Sequence, residues 1–427
     1  METGMDIATI KSRVSGVRRR LRKAGLDGLV VVGVENVRYL TGFCGHDSWA
    51  LVLPRKVILI TDSRYTEQAE GECVGCAIYE RKGQMAAALK ELLAGQSEAI
   101  ALGIEDGCTA ATLAALKKAL RLPLAPVHHI VELGRRVKTP DEVKLIASAC
   151  RIAFDAMDWA MRQLRVGMTE RELAALYDYR LRTLGATPGF ETIAAFGENG
   201  SRAHHQPSGR KLRANDTILL DFGARYRGYI SDATRCCAVG TPSDFYCEVY
   251  RTVALAQRAA IAAVAAGVRV SEVDAAARQV IAAAKLPVYG HGTGHGIGLQ
   301  IHEAPTVSGQ DKHARLEAGQ VITIEPAVYL PGRFGIRLED DVLVTERGAK
   351  VLSRDRRFDI DGDAVPIAAT YKAKPLRSLS MTKIGMICGV LVMIVLLAVG
   401  GCTCGCKNQA ACPTPPQVAQ AQSPAAK

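Results

Sequence analysis

Two aspartates on either side of a tight turn are the first residues whose spacing could do chemistry. Asp221 ends an apolar run, residues 225–228 contain a glycine, and Asp232 lies in a second β-prone run. This is the pattern of a hairpin. If the turn is centred between Tyr226 and Arg227, the two aspartates are cross-strand partners, with Cβ atoms roughly 4.5–5.5 Å apart. Carboxylates that close raise each other's pKa, so the pair requires a metal ion or an arginine.

A surface hairpin with two solvated acids is the alternative, and a second carboxylate pair argues against it. Glu325 ends the run V-I-T-I, and Glu339 lies in I-R-L-E-D-D-V-L-V. Pro331 and Gly332 between them are turn residues, and a hairpin centred there places Glu325 nearly opposite Glu339. Four buried carboxylates in one place are unstable without cations, because they are desolvated and repel one another.

The donor types indicate which cation would bind. Four carboxylates and one imidazole, that of His295 in the glycine-rich segment 291–303, include no thiolate and are too rich in oxygen for a structural zinc site. Five side chains exceed what one small ion needs, whereas two divalent ions about 3.5–4 Å apart fit their number and charge. Mn(II) suits these hard donors, with Co(II), Zn(II) or Fe(II) as substitutes.

These motifs resemble the catalytic half of the pita-bread metallopeptidases, the group of Xaa-Pro aminopeptidase, prolidase and methionine aminopeptidase. The resemblance is carried by D-F-G, S-D-A-T-R, G-H-G-I-G-L-Q-I-H-E, I-E-P and R-L-E-D, and extends over residues 7–352. It implies the metal ligands Asp221, Asp232, His295, Glu325 and Glu339, with Asp232 and Glu339 bridging. It also implies three further active-site histidines, His204, His291 and His302. The creatinase branch lacks the metal ligands, so their presence favours a hydrolase.

Roles follow as hypotheses from this resemblance. A hydroxide bridging the two ions would attack the scissile carbonyl, and Glu325 would take and return the proton. His302 would hydrogen-bond the substrate near the scissile bond, His204 would support the developing oxyanion, and His291 would line the pocket for the next residue.

Other polar residues near the motifs have open interpretations. Arg337, two residues before Glu339, either orients that carboxylate or forms a plain salt bridge. The remaining histidines are interpreted as structural or solvent-exposed; they include His205, His128, His129 and His313.

An N-terminal α/β domain is predicted over residues 7–136. Apolar runs at 29–33, 49–53 and 57–62 predict strands, and the segments 10–26, 85–93 and 110–120 predict helices. N-V-R-Y-L-T-G-F at 36–43 resembles the N-terminal domain of the creatinase, prolidase and aminopeptidase P branch. Methionine aminopeptidases lack that domain, so the resemblance points to proline-type specificity.

The catalytic domain is predicted over residues 137–356. Three capping-box patterns predict helix starts, at Thr139, Thr169 and Ser271. Segments 189–196 and 217–220 predict strands. The fold class is therefore α+β, with helices packed on a curved antiparallel sheet of the pita-bread type.

The C-terminal composition predicts a linker over 357–383, a transmembrane helix over 384–402 and a Cys- and Pro-rich tail over 403–427. The apolar core of the span approaches the ~20 residues that cross a bilayer. A buried core helix and a fused lipoprotein-like signal are the alternatives. Basic residues before the span place the catalytic domain in the cytoplasm by the positive-inside rule; they are Lys372, Lys374, Arg377 and Lys383.

Composition sets the outer limits of function. The 427 residues, 48% hydrophobic and 23% charged, are sufficient for two domains with full cores. A net charge of +11 is weak evidence for an anionic partner such as a membrane surface, and no nucleic-acid module accompanies it.

The predicted protein is a membrane-anchored, dinuclear Xaa-Pro aminopeptidase acting on peptides with proline at the second position. The resemblance suggests a homodimer. The alternatives are a prolidase restricted to dipeptides and a non-catalytic peptide-binding protein.

Overall fold

A mixed sheet of six strands forms the N-terminal half of the computed structural model, which describes residues 6–94 and 101–353. The strands are β1 (Gly28–Val31), β2 (Trp49–Val52), β3 (Val57–Thr61), β4 (Ala77–Glu80), β5 (Leu102–Glu105) and β6 (Leu124–Val127). They lie in the order β4-β3-β2-β1-β5-β6, antiparallel from β1 to β3 and parallel at both sides. The accompanying helices are α1 (Ile7–Lys23), α2 (Val34–Thr41), α3 (Thr66–Glu72), α4 (Met85–Ala94), α5 (Ala110–Leu120) and α6 (Glu132–Arg135).

The N-terminal half is organised as the sequence predicts, with apolar runs forming the central strands. Val30, Leu51 and Ile60 from three neighbouring strands pack with Leu89 of α4 and Leu116 of α5 in one buried cluster. Strands β4, β5 and β6 were not predicted, because each has only four residues and contains a Glu, Gly or Pro that interrupts the apolar pattern.

Four long helices belong to the C-terminal half: α7 (Pro140–Met161), α8 (Glu170–Thr183), α9 (Asp244–Ala263) and α10 (Val270–Ala283). Complete capping boxes at Thr139 and Thr169 start the first two, as predicted. The third predicted box is wrong, because α10 begins at Val270, before Ser271, without a side-chain cap. The Val270 amide instead donates to the carbonyl of Ala314, so a tertiary backbone contact starts this helix.

Within the described residues, the strands of the C-terminal half form four antiparallel sheets. Their strands are β7 (Thr187–Pro188), β8 (Ile193–Phe196), β9 (Thr217–Phe222), β10 (Ala224–Tyr226), β11 (Tyr229–Ile230), β12 (Ala233–Ala238), β13 (Gly294–Gly296), β14 (Glu303–Val307), β15 (Val321–Ile324), β16 (Ala327–Leu330), β17 (Phe334–Arg337), β18 (Asp340–Thr345) and β19 (Gly348–Val351). They are ordered β12-β9-β8, β14-β13-β15-β18-β19, β11-β10-β7 and β16-β17. The helices α7 and α8 pack on β9, and α9 and α10 pack near β15.

The hairpin that carries the two aspartates has a register two residues away from the predicted one. Tyr226 pairs with Tyr229, and Asp221 pairs with Thr234 rather than with Asp232. The turn residues are Arg227 and Gly228, with φ of 47° and 88°. A two-residue hairpin loop with positive φ at both positions favours glycine at the second position. The predicted turn, centred between Tyr226 and Arg227, does not place Gly228 at that position. A slip of two residues keeps the side chains on the same face of the sheet.

The second hairpin has the predicted register. Ile324 pairs with Asp340 on one side, and Ala327 pairs with Arg337 on the other. The same pairing sequence places Glu325 and Glu339 opposite each other between these two ladders. Gly332 has φ of 73° in the connecting turn, a conformation that glycine adopts without strain.

The predicted transmembrane helix at 384–402 lies outside the described residues, as do the linker and tail around it. Within residues 6–94 and 101–353, no helix has both the length and the apolarity to cross a bilayer. The longest of these helices, α7, has 22 residues, but its exposed face is charged through Asp141, Lys144, Arg151 and Asp155. On this finding, the predictions of a transmembrane helix, of a membrane partner and of a membrane-anchored location are withdrawn.

Candidate metal centre

Asp232, His295 and Glu339 form the tightest group of potential metal ligands in the described residues. One ligand atom of each lies within 4.8 Å of the others. His295 lies in β13 and Glu339 directly precedes β18, and both of these strands pair with β15. Asp232 directly precedes β12, and its amide donates to Asp341 Oδ2 of β18 at 3.0 Å. Gly294 permits this approach, since a Cβ there would lie 1.8 Å from the carbonyl oxygen of Thr323.

Glu325 completes one side of this group. His295 Nε2 lies 3.7 Å from Asp232 Oδ2 and 3.7 Å from Glu325 Oε1. Both distances exceed hydrogen-bond lengths, so these groups face a common point without bonding one another. His295 Nδ1 donates to the carbonyl of Gly296 at 3.0 Å. This hydrogen bond leaves Nε2 unprotonated toward the carboxylates, the form in which imidazole binds a metal.

Asp221 is held at the centre by Arg337. The guanidinium Nη2 donates to Asp221 Oδ2 at 2.6 Å, and Nε donates to Thr234 Oγ1 at 2.9 Å. Thr234 Oγ1 in turn donates to Glu339 Oε2 at 2.7 Å. Of the two interpretations left open for Arg337, the salt bridge is observed, and its partner is Asp221. The arginine also reaches Glu339, but only through Thr234.

Burial sets the protonation tendencies of the group. It raises the pKa of Asp232 and of Glu339, and the neighbouring carboxylates raise both further. Burial also raises the pKa of Glu325 to about 7 and lowers the pKa of His295 to about 4. A neutral imidazole beside carboxylates that resist ionisation is the electrostatic pattern that bound cations would relieve.

The chemistry of the donors fits divalent cations. Asp221 Oδ1 and Asp232 Oδ1 are buried and have no hydrogen-bond partner among the described residues. Unpaired buried carboxylate oxygens are costly, and hard cations such as Mn(II) bind oxygen donors of this kind. The arrangement is therefore a candidate metal centre.

One cavity of about 810 Å³ adjoins the centre and is lined by all eight predicted site residues: His204, Asp221, Asp232, His291, His295, His302, Glu325 and Glu339. The rings of His295 and His302 are in edge contact, with centroids 4.4 Å apart. His291 Nδ1 donates to the Gly292 carbonyl at 2.7 Å. His204 is exposed on the segment that follows the 3-10 helix Gly197–Ser201.

Two residues of the centre escaped sequence reasoning. Thr234 follows Asp232 by two positions, so strand periodicity alone would have placed both on one face. Tyr329 lies in the apolar strand β16, and its sequence context did not indicate that it belongs to the site. Its hydroxyl accepts from Arg337 Nη1 at 2.7 Å and contacts His291 Nε2 at 3.2 Å. His129, predicted to be structural or exposed, is exposed and also lines the cavity.

Glu170 was also missed, and it holds the segment that carries His204. This carboxylate at the start of α8 is fully buried. It accepts hydrogen bonds from the Phe196 amide, Asn199 Nδ2, His205 Nε2, and the Ser208 amide and Oγ, at 2.6–2.9 Å. Burial alone would raise the pKa of Glu170, but these hydrogen bonds outweigh it and lower that pKa. His205 is thus structural, as one predicted interpretation had it.

Replacing Glu170 by glutamine is expected to destabilise the protein by about 1.5–3 kcal/mol, the contribution of a hydrogen bond to a charged group. Because the folded-state pKa of Glu170 is lowered, its stabilising effect is present above the unfolded-state pKa, about 4.3. The effect is lost as pH falls through the lower, folded-state value. Thermal unfolding of both proteins should therefore differ most at neutral pH and converge in acid.

A matched control is Glu172→Gln, on the same helix. Glu172 is exposed, and glutamine also serves in a capping box, so this variant should lose only the charge at the helix N-terminus, about 0.3–1 kcal/mol, clearly less than Glu170→Gln. Equal stability of Glu170→Gln and the wild type at pH 7 would contradict the role given to Glu170.

A carboxylate-rich centre between antiparallel sheets, joined to an N-terminal α/β sheet, is the arrangement expected of a carboxylate-ligated metalloprotein. Comparisons with known proteins narrow this class. The metallopeptidase family M24 profile matches residues 144–346, and the creatinase/prolidase N-terminal domain matches residues 13–137. An Xaa-Pro dipeptidase from Pyrococcus horikoshii is 30% identical over 358 residues, which span 83% of this chain and 99% of the relative.

Solved structures agree with the sequence comparison. An Xaa-Pro dipeptidase from Bacillus anthracis has a TM-score of 0.79 at 33% identity, covering 84% of this chain and 99% of its own. An X-Pro aminopeptidase from Thermotoga maritima has a TM-score of 0.74 at 34% identity, covering 79% and 98%. The chain belongs to metallopeptidase family M24, and the family resemblance of its motifs is confirmed.

Proposed function

We propose that this chain is an Xaa-Pro dipeptidase that hydrolyses the bond between an N-terminal residue and a following proline. The observation that carries the proposal is the convergence of Asp232, His295 and Glu339 within 4.8 Å, in a cavity also lined by Asp221 and Glu325. The relatives support restriction to dipeptides better than the aminopeptidase activity predicted from the motifs, since two of the three named above are Xaa-Pro dipeptidases.

The five predicted ligands would hold two divalent ions, with Mn(II) suited to these donors. When bound, the ions would polarise the scissile carbonyl and lower the pKa of water at the site. Glu325, which faces the same cavity, would take a proton and return it to the leaving amine as a general base.

The histidines would act on the substrate. His302, beside His295, would hydrogen-bond the substrate near the scissile bond. His204 would stabilise the developing oxyanion. His291, held between the Gly292 carbonyl and the Tyr329 hydroxyl, would line the pocket for the proline. The predicted domain limits and the predicted homodimer are kept as parts of this proposal.

Xaa-Pro aminopeptidase activity is the second candidate. The X-Pro aminopeptidase of Thermotoga maritima is as similar to this chain, at 34% identity, as the dipeptidase of Bacillus anthracis at 33%.

Hydrolysis of Ala-Pro and of an Ala-Pro tetrapeptide by the full chain tests the proposal. Protein treated with a chelator should cleave neither substrate, and Mn(II) should restore cleavage, with the higher kcat/KM for Ala-Pro. Ala-Ala serves as the control without proline. A higher kcat/KM for the tetrapeptide would favour the aminopeptidase, and no cleavage by the Mn(II)-loaded protein would leave a peptide-binding protein.

A further inference from the structure

Glu303, the residue after His302, is a buried carboxylate with two cationic partners. Lys138 Nζ lies 3.0 Å from Oε2, and the Arg135 guanidinium contacts Oε1. The side chains of Lys138, Arg135 and Glu303 are only 2%, 3% and 6% exposed. Removing one partner of such a desolvated group leaves an uncompensated charge, so the three side chains depend on one another.

The same carboxylate organises the loop between His295 and His302. Glu303 Oε1 accepts from the Gln300 amide at 3.1 Å, and Arg135 Nη2 donates to the Gln300 side-chain oxygen at 3.1 Å. A Cβ at Gly298 would lie 2.8 Å from both Glu303 oxygens. The loop therefore wraps closely around the carboxylate.

The cations belong to the segment that joins the N-terminal sheet to α7. Arg135 ends α6, and its Nη1 donates to Asn36 Oδ1 of α2 at 2.8 Å. Lys138 lies just before α7. Only Glu303 among the three lines the cavity. The hydrogen bonds thus run from the N-terminal half, through Glu303, to the loop beside the metal centre.

Apolar packing fixes the same loop. Ile297 and Leu299, on either side of Gly298, are buried in one cluster with Val14 of α1 and Leu29 of β1. The loop is therefore anchored to the N-terminal half by both ionic and apolar contacts, whereas its ends carry His295 and His302.

We infer that Glu303, held by Arg135 and Lys138, is a positioning residue that sets the place of His302 relative to His295. The inference rests on the proposed function, in which His302 contacts the substrate. A positioning role predicts a loss in kcat rather than in substrate binding, because displacement of a catalytic group by about 1 Å can cost roughly 100-fold in rate.

The test compares Lys138→Met with Arg136→Met in the full chain. Arg136 pairs with Glu317, with side chains 23% and 56% exposed, so it is a matched control from the same segment. For Lys138→Met we expect kcat with Mn(II) to fall about 10- to 100-fold, with KM nearly unchanged. In metal-free protein, amide exchange in residues 296–302 should accelerate. Arg136→Met should change neither quantity.

The exchange readout separates this inference from the proposed function. Wild-type protein that cleaves no substrate would end the proposed function, whereas exchange would still decide whether Lys138 holds the loop. Wild-type exchange and kcat in Lys138→Met would overturn the inference. If Lys138→Met does not fold, Glu303→Gln provides the same two measurements with the side-chain shape preserved, and wild-type values there would also overturn it.

Discussion

Replacing Glu339 by glutamine is expected to abolish hydrolysis and divalent-ion binding while making the metal-free protein more stable. Glu339 is 2% exposed, and burial, with Glu325 and Asp221, raises its pKa. Glutamine keeps the shape and removes the repelled charge, so the metal-free variant should be more stable than the wild type at pH 7, where a carboxyl with a raised folded-state pKa destabilises the folded protein. Replacing a residue that hydrogen-bonds to a metal ligand typically costs roughly 10- to 100-fold in activity. Because Glu339 would be a ligand itself, its replacement should cost more than about 100-fold.

Thermal unfolding with and without Mn(II) measures both effects. Binding to the folded state stabilises the wild type by about 2.7 kcal/mol at 100 times Kd, and Glu339→Gln should show no such shift. Glu346→Gln, an exposed acid in the next turn, is the control and should behave as the wild type. A Mn(II)-dependent shift retained by Glu339→Gln would remove Glu339 from the ligand set.

Replacing Arg337 by methionine has the second large expected effect. Arg337 is 4% exposed and donates to Asp221, Thr234 and Tyr329. Its loss leaves Asp221 without a cation among crowded carboxylates, which should destabilise the metal-free protein by about 3–5 kcal/mol. Lysine should not restore stability, because a single ammonium cannot reproduce the planar fork of donors. Denaturant unfolding at neutral pH measures the change.

Arg333→Met is the matched control for Arg337→Met. Arg333 lies in the turn before β17 and stacks at 4.5 Å over the ring of Phe245, where it meets no carboxylate of the centre. We expect it to cost about 0.5–1 kcal/mol, the value of an exposed cation–π contact. Equal losses in the two variants would mean that Arg337 acts through packing and not through the charge of Asp221.

The four carboxylates of the candidate metal centre were the most predictable part of the molecule, because they lie in short hairpins. Local rules fix a hairpin: the turn residues Pro331 and Gly332 sufficed to place Glu325 opposite Glu339. The first hairpin failed by two residues, since its turn places Arg227 at positive φ, an uncommon conformation for a residue with a side chain. The error did not move Asp221 or Asp232 out of the cavity.

The partners that hold the centre could not be predicted from the sequence. Lys138 and Glu303 are 165 residues apart, and Arg337 and Asp221 are 116 apart. No local periodicity links such positions, and a charged residue in the sequence is ordinarily a solvated one. Glu170 shows the same limit, because a helix-start glutamate normally faces solvent, whereas here it is fully buried and accepts hydrogen bonds from the loop that carries His204.

The apolar cluster shared by the two halves restricts how evolution or engineering can rearrange this chain. Tyr229, Ile297, Leu299 and Val321 of the C-terminal half are buried against helices and strands of the N-terminal half. A truncated protein beginning at α7 would expose these side chains and would therefore be prone to aggregation. A swap of N-terminal halves between homologues would therefore succeed only if the contacting residues of this cluster were exchanged together with them.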